Sequence, residues 1–399
     1  MSMSKRQQGV VLAILLVGFL VSLVYSLPVW SSLFRSESHT THAAVQRLPV
    51  VDEDQASAAQ PLSTVLDLDF MHDGNDGNSY TKFDQSVRSR LRHHQFQDLD
   101  AFASDLRKTK SRIPGGGWRL IRFYSQLTGP AAGLNVSDGE WQTHLKLLRD
   151  WIEAYPQSIT ARVAYGDTLV NYAWQARGDG PASEVTNRQW TLFDERLAQA
   201  EKVLTEAYDL PTRCPQWYSA MQSVALGQSW KPSKYDELFD EAIRFEPLYP
   251  TYYTKKAYYL LPRWDGQDGD SERFAAQAAD EIGGAEGAAL YYIVFTNLAT
   301  FYKQDGVLES KVIASWPRLK QGFADTDRLY KVTFSVVNFY AKMAYIAGDK
   351  GETRTAIERI GANWNKSVWG SQENFDRAKS WAMVPPPNTS QKIGIISRP

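Results

Sequence analysis

Between residues 233 and 264 the chain carries KYDELFDEAIRFEP followed by YPTYYTKKAYYLLPRW. Tyr235, Phe239 and Ala242 fall at helical spacing ahead of Pro247, and a second helical segment restarts after Pro250 and stops at Pro262. Proline has no N–H to donate and its ring collides with the preceding turn, so each of these prolines marks a helix boundary. Two short helices joined by a proline-containing turn form a hairpin that cannot bury its apolar face alone. Such a unit demands neighbours of its own kind, the logic of helical-repeat proteins.

The flanking sequence supplies them. FDQSVRSRLRHHQ and DLDAFASDLRKTK read as charged surface helices, and IPGGGWRLIRFY as a glycine turn entering a buried helix with Trp118 and Tyr124. Ser137 and Glu140 stand in capping-box spacing ahead of WQTHLKLLRDWIEAY, which Pro156 ends; its partner runs to Gly178. Thr186 and Gln189 repeat the box ahead of a helix with Trp190, Phe193, Leu197, Ala200, Leu204 and Ala207 along one stripe. PQWYSAMQSVALGQSW completes that pair. The alternation continues more loosely through ERFAAQAADEIGG with GAALYYIVFTNLATFYKQDG, SKVIASWPRLKQGF with RLYKVTFSVVNFYAKMAYIAGD, and TRTAIERIGANW with ENFDRAKSWAM. No stretch sustains period-two alternation. The expected fold is all-α, a helical-hairpin solenoid over residues 81–384 with a proline-rich tail at 385–399.

The N-terminus predicts an address. Residues 9–30 contain no charge, and spanning a bilayer takes roughly 20 such residues. Lys5 and Arg6 precede the run and the next basic residue is Arg35, so the positive-inside rule keeps residues 1–8 cytoplasmic and sends the remainder across. Tyr25 and Trp30 suit an interface. The competing reading is a cleaved signal peptide ending near Val24-Tyr25-Ser26, in which case the chain is secreted. Residues 31–80, rich in Ser, Asp, Gly and Gln, read as a flexible linker; its HDGNDGN segment lacks the ligand and glycine order of a calcium loop, with Gly77 fifth and Asn78 sixth from Asp73.

Several function classes are disfavoured. The net charge of −1 provides no field for nucleic acid. The single cysteine, Cys214, excludes an intrachain disulfide and CxxC metal sites. His93 and His94 are adjacent and diverge on a helix, so they do not chelate one metal. Gly115 to Gly117 lack the GK[ST] ending of a phosphate loop, and Asp265 to Asp270 (DGQDGD) lack the bidentate Glu of a calcium site. No GxSxG, HExxH, Walker or dinucleotide motif is present. Neither a metal nor a cofactor is expected.

Two resemblances follow. Tyr235, Phe239, Ala242 and Pro247 match the second-helix spacing of tetratricopeptide repeats, with Tyr in place of the first small residue; Ala200, Leu204 and Ala207 match too, with Pro211 one residue early. The ordered strings WRLIRFY, NYAWQARG, CPQWY, ALGQSW and YYLLPRWDG resemble an uncharacterised bacterial domain-of-unknown-function family over residues 91 to 369. That resemblance implies a bacterial helical-repeat domain and transfers no activity.

The candidate binding residues combine aromatics with arginine beside turns: Tyr172, Trp174 and Arg177; Trp217 and Trp230; Arg263 and Trp264. Arginine with tryptophan offers a flat platform and a forked donor, suited to a peptide carboxylate, a sugar or an acidic loop, although such pairs also staple turns internally. The reading is an inner-membrane, single-pass envelope protein with a periplasmic main domain, acting as a scaffold for a protein or peptide partner. The alternative is an envelope enzyme acting on glycan or peptidoglycan through two carboxylates about 5 to 9 Å apart.

Overall fold

The computed structural model describes residues 61–70, 78–178, 180–304 and 315–384. The span expected at 9–30, the tail at 385–399 and most of the 31–80 segment lie outside these. Among the described residues no helix is long and apolar enough to cross a membrane. Within them the protein is all-helical: seventeen α-helices and one 3-10 turn (Ala182–Glu184), with no strand. They divide into two compact units, the first ending at Val332 and the second beginning at Thr333.

The first unit starts before residue 81. α1 (Leu62–Leu66) buries Val65, and Phe70 behind it lies edge-on to Tyr80 and Phe83. Arg119 fixes this segment by donating to the carbonyls of Leu66 at 2.7 Å and Leu68 at 3.0 Å. The segment expected as linker therefore gives its last part to the core, because Val65 and Phe70 supply apolar anchors in otherwise polar sequence. α2 (Asn78–Arg92) and α3 (Phe96–Thr109) pair next, and the glycine turn leads into α4 (Arg119–Ser125), which buries Leu120 to Tyr124.

Four hairpin partners follow: α5 (Asp138–Ala154) on α6 (Ile159–Arg177), then α7 (Asn187–Tyr208) and α8 (Pro215–Gly227). Both expected capping boxes are present, Ser137 with Glu140 and Thr186 with Gln189. The stripe on α7 is buried at Phe193, Leu197, Ala200, Leu204 and Ala207. α6 and α7 approach closely at Gly166, where an added Cβ would lie 2.7 Å from Leu204 Cγ. At the start of α6, Ser158 accepts the Ala161 N–H at 2.9 Å and donates to Asp100 on α3 at 2.6 Å, so one hydroxyl caps one helix and ties it to another. Ser158→Ala is expected to lower stability by about 1–2 kcal/mol in chemical denaturation, whereas Ser158→Thr keeps most of it. An unchanged midpoint for the alanine variant would contradict this role.

The opening hairpin is α9 (Pro232–Phe245) and α10 (Pro250–Tyr259), each with proline in its first turn. α10 is enclosed: it packs on α8, α9, α11 (Asp270–Ile282) and α12 (Gly284–Gln304), and all its residues are buried. α12 then pairs with α13 (Trp316–Tyr330). Helices distant in sequence are also joined by the 112–118 turn. Gly115 donates to the Lys331 carbonyl at 2.8 Å, and Arg112 and Trp118 both donate to the Leu248 carbonyl. Gly116 is confined to φ +88°, and a Cβ there would meet the Tyr330 ring at 2.8 Å. These long-range contacts go beyond nearest-neighbour stacking.

The second unit contains α14 (Phe334–Ile346), α15 (Lys350–Ile360), α16 (Lys366–Trp369) and α17 (Gln372–Met383). Its centre is the fully buried Asn338, whose Oδ1 accepts from Trp369 Nε1 at 2.9 Å and from Asn365 N–H at 3.0 Å. RLYKVTFSVVNFYAKMAYIAGD, expected as one helix, is instead broken at Lys331, whose φ of +61° ends α13. Periodicity on either side of a left-handed residue does not reveal the break.

Candidate functional site

α10 is an unusual helix to enclose, because Thr251, Thr254, Lys255 and Lys256 leave it far from apolar. Lys256 escapes sideways to pair with Asp236 on α9. Lys255 stays inside. Its Nζ donates to the Ser219 carbonyl at 2.6 Å and to Ser223 Oγ at 2.5 Å, both on α8. From α6, Asp167 faces the same recess; its Oδ2 accepts from Gln216 Nε2 at 2.8 Å, and Gln216 Oε1 in turn accepts from the Tyr249 hydroxyl at 2.6 Å. Among the described residues no ion pair joins Asp167 to Lys255.

These helices enclose a small recess, with a cavity volume of about 40 Å³, that opens to solvent. Ile121, Val170, Leu226 and Trp174 give it apolar walls, while Asn171 and Thr128 close one side through a 2.8 Å hydrogen bond. Ser219 Oγ and Thr251 Oγ1 are shut off from solvent without a hydrogen-bond partner. Burial pushes the Lys255 ammonium down to about 8, with Asp167 pulling it back. Burial likewise pushes the Asp167 carboxyl up, opposed by Lys255 and by the Gln216 hydrogen bond. Two charges retained in a sparsely solvated recess are characteristic of functional sites.

The pocket can bind but is poorly equipped to catalyse acyl transfer. Ser223 with Lys255 has the reach of a nucleophile and a base. Ser223, however, sits inside α8, whose backbone N–H groups are consumed by the helix, so no main-chain oxyanion hole accompanies it.

The seven sequence candidates are dispersed. Trp174 lines the pocket wall, and its ring lies 6.1 Å from Trp264, which also meets Tyr258. Arg177 stacks over Trp174 and Trp190 while donating to the carbonyls of Gly178 and Gly180, closing its own loop. Tyr172 points elsewhere, stacked on Trp141 and bonded to Asp138. Trp217 is buried and donates to the Leu204 carbonyl at 2.6 Å. Trp230 donates to Gln228 and lies under Lys234. Arg263 is half-buried on the turn before Trp264. Trp174, Arg177 and Trp264 thus form one cluster, and Tyr172, Trp217 and Trp230 belong to separate contacts.

Asp167, Gln216, Ser219, Ser223 and Lys255 were not among the sequence candidates. The signals available were a Gly-Asp step inside the apolar run VAYGDTLV and a Lys-Lys step inside the aromatic run TYYTKKAYY.

Residues 84–247 match the model of a family described as Domain of unknown function (DUF4034). The match covers less than half of the chain. It takes in α4, α6 and α8 of the pocket and ends before α10, which carries Lys255. Four of the five strings that carried the resemblance fall inside it, and YYLLPRWDG at 258–266 falls outside. No curated protein and no solved structure matches the chain.

Proposed function

We propose that this chain is a bacterial, membrane-anchored binding protein: a tetratricopeptide-like solenoid of helical hairpins, held by residues 9–30, whose outward-facing domain takes up a protein or peptide partner. The observation that supports binding is the pocket between α6, α8 and α10, where buried polar atoms lack partners and Trp174 connects the wall to Trp264. A protein tolerates such groups where a ligand completes them. The glycan-hydrolase alternative needs two carboxyl groups in one cleft, and among the described residues Asp167 alone supplies a carboxylate to the lining of this pocket.

In-cell cross-linking of the full-length chain, read by mass spectrometry, tests the proposal. One partner is expected to be captured, and lost from an Arg263→Ala, Trp264→Ala variant that retains its helical circular dichroism. Capture of no partner by either form would overturn it.

A further inference from the structure

Asp167 and Lys255 face one recess from different helices without touching. Opposite charges in a low-dielectric interior attract strongly, and they are normally buried as a direct, hydrogen-bonded pair. Here each is held by neutral groups instead: Asp167 by Gln216, Lys255 by the Ser219 carbonyl and the Ser223 hydroxyl. Gln216 is itself fixed by Tyr249, which is fully buried and edge-on to Trp118, so packed residues restrain the carboxylate on its own side. Asp167 Oδ1 accepts no hydrogen bond from the described residues. On the lysine side, Thr251 lies one turn before Lys255 on α10 and Ser219 one turn before Ser223 on α8, and both hydroxyls lack partners.

We infer that the recess binds a small zwitterion of the amino-acid class, its ammonium on Asp167 and its carboxylate on Lys255 with the Ser219 and Thr251 hydroxyls. The inference rests on the pocket being a binding site, as proposed above. A neutral sugar would use the hydroxyls and leave both charges without a counterpart. A simple anion would meet Lys255 and be repelled by Asp167. A molecule with both groups satisfies each, and the buried setting makes both contacts strong. The depressed lysine and raised carboxyl are consistent with charges awaiting counterparts.

The test uses the full-length chain in detergent, with thermal unfolding and calorimetric titration against glycine, alanine, β-alanine and γ-aminobutyrate. N-acetylglycine, glycinamide and glucose serve as blocked or neutral probes. At least one zwitterion is expected to raise Tm by about 3 °C or more at hundredfold excess over its Kd. The acetylated and amidated probes should each bind at least about tenfold more weakly, the loss expected for a missing charged contact. Asp167→Asn should narrow the gap between glycine and N-acetylglycine. Equal binding of blocked and free forms, or no binding by any zwitterion on the order of 10 mM, would overturn the inference. If that happens while cross-linking still captures a partner, the binding-protein reading stands and this ligand class falls; if both fail, both fall.

Discussion

Trp118→Ala is expected to destabilise the first unit by about 3–5 kcal/mol, the range for truncating a buried tryptophan. The indole is 1% exposed. It stands at the N-cap of α4, lies edge-on to Tyr249 at 5.1 Å and donates to the Leu248 carbonyl at 3.1 Å. Arg112 and Lys110 both lie over its ring. Its removal therefore opens a cavity and loosens the attachment of the glycine turn to the start of α10 in one step. Trp118→Phe keeps much of the ring contact and loses the N–H, while Arg112 still donates to the Leu248 carbonyl at 3.3 Å, so its cost should be nearer 1–2 kcal/mol. Denaturant unfolding followed by near-ultraviolet circular dichroism reads both variants, and the two units must be allowed separate transitions. A loss below about 1 kcal/mol for Trp118→Ala would mean that the turn and α10 are not stabilised through this ring.

The hairpin logic was legible because helix boundaries are local chemistry. Pro250 opens α10, and the Ser137 and Thr186 boxes are where their spacing placed them. Enclosure is not local. Nothing in PTYYTKKAYY says that α10 is surrounded by four helices, since a tyrosine-rich helix suits one apolar contact or several. The same gap explains the binding candidates. Aromatic and arginine residues near turns suit a binding surface by their chemistry, but Trp217, Trp230 and Arg177 each satisfy a carbonyl or amide oxygen within their own neighbourhood. Conversely, Asp167 on α6 and Lys255 on α10 are separated by three intervening α-helices and carry no motif; only packing brings them to one recess.

The inferred ligand site would give a stable core a reason to keep two charges. Each lowers stability in its ionised form, as the direction of its titration indicates, and proteins commonly trade stability for a preorganised site in this manner. Tyr235 and Tyr252, buried around the same helix, show the alternative: their hydroxyls remain neutral and hydrogen-bonded, with burial pushing both well above the ordinary range.

The corresponding prediction is a pH dependence opposite in sign to that of a stabilising ion pair. Lys255 has an ordinary value near 10.5 and is pushed down to about 8 in the fold by burial. Between those values the unfolded chain binds a proton that the folded chain does not, so stability rises with pH across the window. The penalty is fully present below about 8 and relieved as pH approaches 10.5, a difference on the order of 3 kcal/mol. Asp167 acts in the mirror sense. Its folded value is raised, so its penalty is present above that value and is relieved as pH falls through it toward the ordinary carboxylate range. Other lysines and tyrosines titrate over the alkaline window, so the quantity to measure is the stability of the native chain minus that of Lys255→Met at each pH. The difference should grow in favour of the native chain from pH 8 to 10.5. Among the described residues Asp167 is the charge that raises the Lys255 value, so an Asp167→Asn background should move the onset of the rise to lower pH. Parallel curves for native and Lys255→Met chains would show an amine that titrates as it does in water, and a recess too wet to hold two charges in the way argued for ligand binding.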